Sequence, residues 1–228
     1  EVSDEFFSEG PQNQLSTWGV ADHPGALWLQ KNPFVNSLDG LKEQMSNISI
    51  QPGYDFPEAY ECGWEAVAED IRQRERPIGT KVAVFFIGDS VPHGMPEYAK
   101  KWGDNGCPHE IKEGGMPSDG DSRPKYQRTL PTLKSLTDMF YFVGCKPEGS
   151  EEHAQDVLNL QRSLITEGRK SEAYVPLGTM VEDLPQLAIA ALKEAKDPAA
   201  AADYMKRLQL ASPEKAARIK GLLGSGGQ

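Results

Sequence analysis

Two unbroken runs of β-branched and aromatic residues dominate the hydrophobic pattern, VAVFFIG (Val82–Gly88) and MFYFVGC (Met139–Cys145). Neither run alternates with polar residues, so each predicts a buried strand, the Val82 strand lying in the interior of a sheet and the Met139 strand, rich in Tyr and Phe, central or near-central in it. A shorter run, AYVPL (Ala173–Leu177), predicts a third strand. Upstream, LSTWGVADHP (Leu15–Pro24) reads as a strand ending at Asp22 and His23, with ALWLQ (Ala26–Gln30) as its antiparallel neighbour.

Helical spacing fills the intervals. Ser37 is placed to cap a helix whose Leu38, Leu41, Met45 and Ile48 share one face. Gly53 supplies a turn and Pro57 opens a second helix, running to about Gln73, with Trp64, Val67, Ala68 and Ile71 inward and Cys62 a small, partly buried residue. From Ser90 to about Lys125 no periodicity is visible, and this stretch reads as a long loop over the sheet edge. A short helix is expected at 132–137. Another carries Ala154, Val157, Leu158, Gln161, Leu164 and Ile165, and a third covers 183–195. Strands alternating with helices predict an α/β fold with a doubly wound, mostly parallel sheet. Asp197-Pro198 and Ser212-Pro213 each put a capping residue before a first-turn proline, so 198–209 and 213–223 form a helical hairpin. The expected organisation is a polar leader at 1–14, an α/β domain at 15–195, the hairpin as an appendage at 197–223, and a flexible tail at 224–228.

Composition narrows the function classes. A formal net charge of -10 disfavours a phosphate backbone, and no Arg/Lys cluster interleaves with aromatics, so nucleic acid is not an expected partner. No apolar run approaches the ~20 residues of a membrane span, and the first residues lack the basic start and apolar centre of a signal peptide. Three cysteines are too few and too scattered for a disulfide framework, which favours a reducing intracellular compartment.

The turn at the carboxyl end of the Val82 strand, Gly88-Asp89-Ser90, is the place for chemistry in an open α/β sheet. Three readings apply. A strand followed by Gly-Asp-Ser resembles the first block of GDSL-type esterases, with Ser90 as nucleophile, yet no later Asp-x-x-His supplies the acid and base such a serine needs. His93, Cys107, His109 and Cys145 are chemically suited to zinc, without the spacing of a zinc module.

The third reading uses most of the chain. GVADHP (Gly19–Pro24), the segment from Leu38 to Val67 containing GYDFPEAY, KVAVFFIGDSVPHG (Lys81–Gly94), NGCP (Asn105–Pro108), the YFVGC strand and the later VPLG occur in one order. Together, over roughly 15–195, they resemble a von Willebrand factor A domain of the kind found with alpha-kinases and in related bacterial proteins. The resemblance implies a Rossmann-like sheet, protein recognition rather than catalysis, and a metal-ion-dependent adhesion site at the sheet edge. It places Asp55 and Asp89 as ligands of Mg²⁺, an ion that takes oxygen donors and keeps a place for a partner's carboxylate. Ser90 and His93 stand beside Asp89, Asp22 and His23 line the same edge, and Glu58 sits in the first turn of the helix after Pro57. Simpler roles fit several of these: Asp55 as a helix cap, Glu58 as a charge favoured at a helix start, His93 as an organiser of the long loop. The chain departs from the family in lacking any Asp-x-Ser-x-Ser and the central strand that carries it. An upstream segment, another chain, or a modified fold with a decayed metal site would each account for that gap. The expected function is therefore a protein-binding or assembly module. A structural subunit of a larger complex and an esterase are the alternatives.

Overall fold

The computed structural model describes residues 7, 13–23, 27–49, 56–107, 121–165, 172–178 and 183–224. Among the described residues the chain is α/β, with eight helices, a two-stranded antiparallel sheet and a three-stranded parallel sheet. It divides into two compact units: one comprises chiefly Ser3–Arg74 and Ser90–Leu133, the other Glu75–Asp89 and Lys134–Gln228. The expected leader and tail lie almost wholly outside the described residues.

In the first unit, β1 (Trp18–Val20) and β2 (Leu29–Lys31) pair antiparallel, Gly19 opposite Gln30. The predicted partners are right, although each strand is shorter than expected, and Leu15 instead bridges Val35. Helix α1 (Leu38–Asn47) begins where the Ser37 hydroxyl accepts the Gly40 N–H at 3.2 Å, the expected cap. Its inward face differs from the expected one. Met45 is 61% exposed and Gln44 is buried. The Gln44 carboxamide accepts from the Thr17 N–H at 3.1 Å and donates to the Pro33 carbonyl, so it satisfies backbone groups beside β1 that a methionine could not. Helix α2 (Tyr60–Gln73) buries Trp64, Ala68 and Ile71 as predicted. A Cβ at its Gly63 would lie 2.8 Å from Val20, so a glycine is what lets the helix approach the β1 segment. Pro57 and Glu58 precede the helix rather than open it, because the backbone there is tied elsewhere: the Glu58 N–H donates to the Val91 carbonyl at 2.9 Å. The segment expected as a bare loop contains α3 (Pro96–Trp102), which starts at a proline and ends at Gly103 with φ 88°. Its 7 residues, about two turns, were too short for a period to show. The expected helix at 132–137 begins earlier, as α4 (Tyr126–Ser135).

The second unit is built on β3 (Ala83–Gly88), β4 (Met139–Cys145) and β5 (Glu172–Gly178), all parallel, with β4 in the middle. Phe85 stacks on Tyr141 at 5.0 Å and Phe86 meets Phe142 at 5.1 Å, which fixes the β3–β4 register. Successive β4 residues face opposite sides. Met139, Tyr141 and Val143 join Leu187, Ala190 and Ala191 of α6 (Leu184–Lys196), Tyr204 of α7 (Pro198–Ala211) and Ile219 of α8 (Pro213–Gly224). Phe142 lies against Tyr174, whose hydroxyl donates to Gln161 of α5 (Glu151–Ser163) at 3.2 Å. Gln161 in turn donates to the Gly88 carbonyl at 3.2 Å. A buried Lys134–Glu172 ion pair closes the lower end of β5.

Two expectations change here. The predicted interior strand, β3, is bonded to β4 alone among the described residues, its side chains are only half-buried, and Ile87 is 48% exposed. The continuous apolar run is therefore an edge in what is described, while β4 takes the central place expected of it. The terminal hairpin forms as predicted, with Asp197 accepting the Ala199 N–H at 2.9 Å, but it contributes Tyr204 and Ile219 to the same core as β4 and β5. Buried Asp183 anchors it through Arg218, at 2.6 and 3.0 Å, and Lys215. The Arg218 hydrogen bonds hold the Asp183 carboxyl below its usual range.

Candidate functional site

The first unit carries a chain of buried ionisable groups from three distant stretches: the turn after β1, the first turn of α2 and the loops flanking α3. Asp22, His23, Glu61, Cys62, His93 and Cys107 are all less than 5% exposed. Burying so many polar groups is costly unless each is paired. The pairing is dense. His93 Nε2 lies 3.2 Å from Asp22 Oδ1, and His93 Nδ1 lies 3.1 Å from Glu61 Oε1. The His93 backbone N–H donates to Glu61 Oε2 at 3.2 Å, and the His23 N–H donates to Asp22 Oδ1 at 2.6 Å. Asp104 holds the adjoining loop, accepting from the Gly94 and Gly106 N–H groups, each at 2.7 Å. Burial works against a charged imidazole, but the Glu61 hydrogen bond and the charges of Glu61, Asp104 and Asp22 outweigh it and push His93 up to about 9. His93 is thus an imidazolium clamped between two carboxylates.

A second cluster adjoins it. His23 Nε2 is 3.4 Å from Cys62 Sγ, and Cys62 Sγ is 3.3 Å from Cys107 Sγ. Trp28 packs beside the His23 ring at 4.6 Å. Lys125 donates to Cys62 Sγ at 3.2 Å and reaches Glu65 at 2.8 Å. The Cys107 hydrogen bond, assisted by the Lys125 charge, lowers Cys62, while the same bond and burial raise Cys107. Of the two, Cys62 is the one whose ionisation is favoured, with Cys107 placed to donate to it.

The expected site residues divide as follows. Asp22, His23 and His93 come together as one buried group. Glu58 is half-buried and forms a parallel bridge with Pro92. Ser90 is buried, accepts no exposed position, and its hydroxyl donates to the Phe56 carbonyl while its N–H donates to Tyr60 Oη at 3.2 Å. That arrangement offers the esterase reading no exposed nucleophile. Asp89 belongs to the second unit, exposed at the carboxyl end of β3, where its charge adds to burial in raising Cys145. Asp55 lies outside the described residues, as does His109. Of the two expected Mg²⁺ ligands, then, Asp89 alone is described. Of the expected zinc donors, His93 is committed to its two acids, and Cys145 ends β4 in the second unit. The residues that sequence reasoning missed are Glu61 and the pairing of Cys62 with Cys107, which are 45 positions apart and share no spacing motif. Glu61 offered no signal beyond being an acid in the first turn of a helix, an ordinary and usually solvated position.

No helix among the described residues is long and apolar enough to cross a membrane. No protein-family model matches the chain, and no curated protein matches its sequence.

Proposed function

We propose that this chain is a protein-binding or assembly module of the von Willebrand factor A type, in which the side of β3 away from β4 receives an extended segment from a partner polypeptide. The observation that carries the reading is β3 itself: six residues rich in β-branched and aromatic side chains, bonded to β4 alone among the described residues, with Ile87 48% exposed. Edge strands are ordinarily guarded by lysine, proline or a bulge. AVFFIG has none of these, and its register with β4 is regular along its whole length. Strand addition would pair its outward backbone groups and cover its half-buried side chains, a known mode of peptide recognition. The place also matches the resemblance, because the central strand missing from the sequence belongs beside this one. Mg²⁺ enters only as a ligand of the assembled pair, with Asp89 giving one oxygen and an Asp-x-Ser-x-Ser segment the others. A subunit of a larger complex without a working metal site uses the same surface and differs only in being indifferent to Mg²⁺.

The test is the mass of native material by light scattering, for the natural chain and for Ile87→Lys, which puts a charge where a neighbouring strand's side chains would lie. The expected result is a complex heavier than one chain, reduced to single-chain mass by the substitution with circular dichroism unchanged. Single-chain mass for the natural protein, or a complex that Ile87→Lys leaves intact, contradicts the proposal.

A further inference from the structure

The geometry points to a second site in the first unit: we propose that His23, Cys62 and Cys107 bind one zinc ion. An imidazole and two thiols are the donor set that borderline-soft Zn²⁺ prefers over the oxygen-seeking ions. A tetrahedral ion bonded at ~2.1 Å to nitrogen and ~2.3 Å to sulfur holds its donors roughly 3.5 to 3.8 Å apart. Here the ligand atoms all lie within 4.8 Å of one another, with His23 Nε2 3.4 Å and Cys107 Sγ 3.3 Å from Cys62 Sγ. Outward movements of a few tenths of an ångström would suffice to admit the ion.

The surroundings suit it. All three residues are buried, Cys107 completely, so the site is shielded from competing water. Two thiolates neutralise the dication. Lys125 donates to Cys62 Sγ from the side and orients that ligand, as neighbours of protein metal ligands generally do, and Asp22 accepts the backbone N–H of His23 and so holds the turn that carries it. Trp28 limits rotation of the His23 ring. Three donors leave the fourth tetrahedral position to a water or a further donor. The ion would join the turn after β1, the first turn of α2 and the loop after α3, segments 39 and 45 residues apart in the chain. This set shares only Cys107 with the one expected from sequence, and it is independent of strand addition at β3.

The experiment titrates the reduced, chelator-stripped full chain with Co²⁺ and then Zn²⁺. The proposal expects visible d–d bands of tetrahedral Co²⁺ and a thiolate charge-transfer band, saturating at one equivalent and bleached by one equivalent of Zn²⁺. His23→Gln and Cys107→Ser should each weaken binding by more than about 100-fold, since losing a ligand costs more than losing one of its supporting partners. A weak octahedral spectrum, or affinity unchanged in both variants, overturns the site. Should Cys107→Ser fail to fold, organomercurial titration of the zinc-reconstituted natural chain decides: release of zinc in step with thiol modification supports the site, and thiols modified without zinc release overturn it.

Discussion

His93 is the residue on which the electrostatics of the first unit turns. With Asp22 and Glu61 on its two ring nitrogens, its protonation is a condition of the fold as well as a consequence of it. Its folded pKa of about 9 stands above the ordinary 6.5, so between those values the folded state binds a proton that the unfolded state does not. The resulting stability is fully present below about pH 6.5 and is lost as the pH rises to about 9. At 1.36 kcal/mol per unit, the upper limit is about 3 kcal/mol. Urea unfolding of the natural chain and of His93→Gln across that window should show a stability difference that shrinks as pH rises; a pH-independent difference would remove the imidazolium from the account. Sequence reading singled out Asp22, His23 and His93 because acids and histidines at strand ends are conspicuous. Glu61 was invisible because a first-turn glutamate is ordinarily solvated, and nothing local announces that this one is completely buried.

At the scale of elements, runs of apolar residues located β3 and β4 and the pattern of helices around them, but could not rank the two strands. Both are unbroken apolar runs, and which becomes central depends on what pairs with each, a property of the neighbours rather than of the run. The same limit explains Gln44, where an apolar period named Met45 and backbone satisfaction chose the amide. Tight packing around β4 yields a paired prediction. A Cβ at Gly144 would collide with the Tyr174 hydroxyl and the Gln161 carboxamide, whereas one at Gly221 of α8 meets nothing within 4 Å. Gly144→Ala should cost about 1 to 3 kcal/mol through overpacking, while Gly221→Ala should add up to about 1 kcal/mol through helix propensity. Denaturant midpoints read both. Equal and small effects would mean that the Tyr174–Gln161–Gly88 network does not constrain the strand.

For the whole molecule, the chain forms two units, each drawing on discontinuous stretches, so no linker composition marks their boundary. Local pattern found the terminal hairpin, because caps and prolines are local signals. Its place in the core of the second unit rests on Tyr204, Ile219 and the Asp183–Arg218 pair, which are contacts between distant positions and leave no local trace. The function proposed here likewise belongs to the assembled scale, where the side of β3 away from β4 becomes a surface. Amide hydrogen exchange resolved to Ala83–Gly88, in the native complex and after its dissociation, tests this most directly. Strand addition predicts that β3 amides facing away from β4 are protected in the complex and exchange rapidly once it is dissociated. Identical exchange at β3 in both states, with protection appearing elsewhere on the chain, would contradict it.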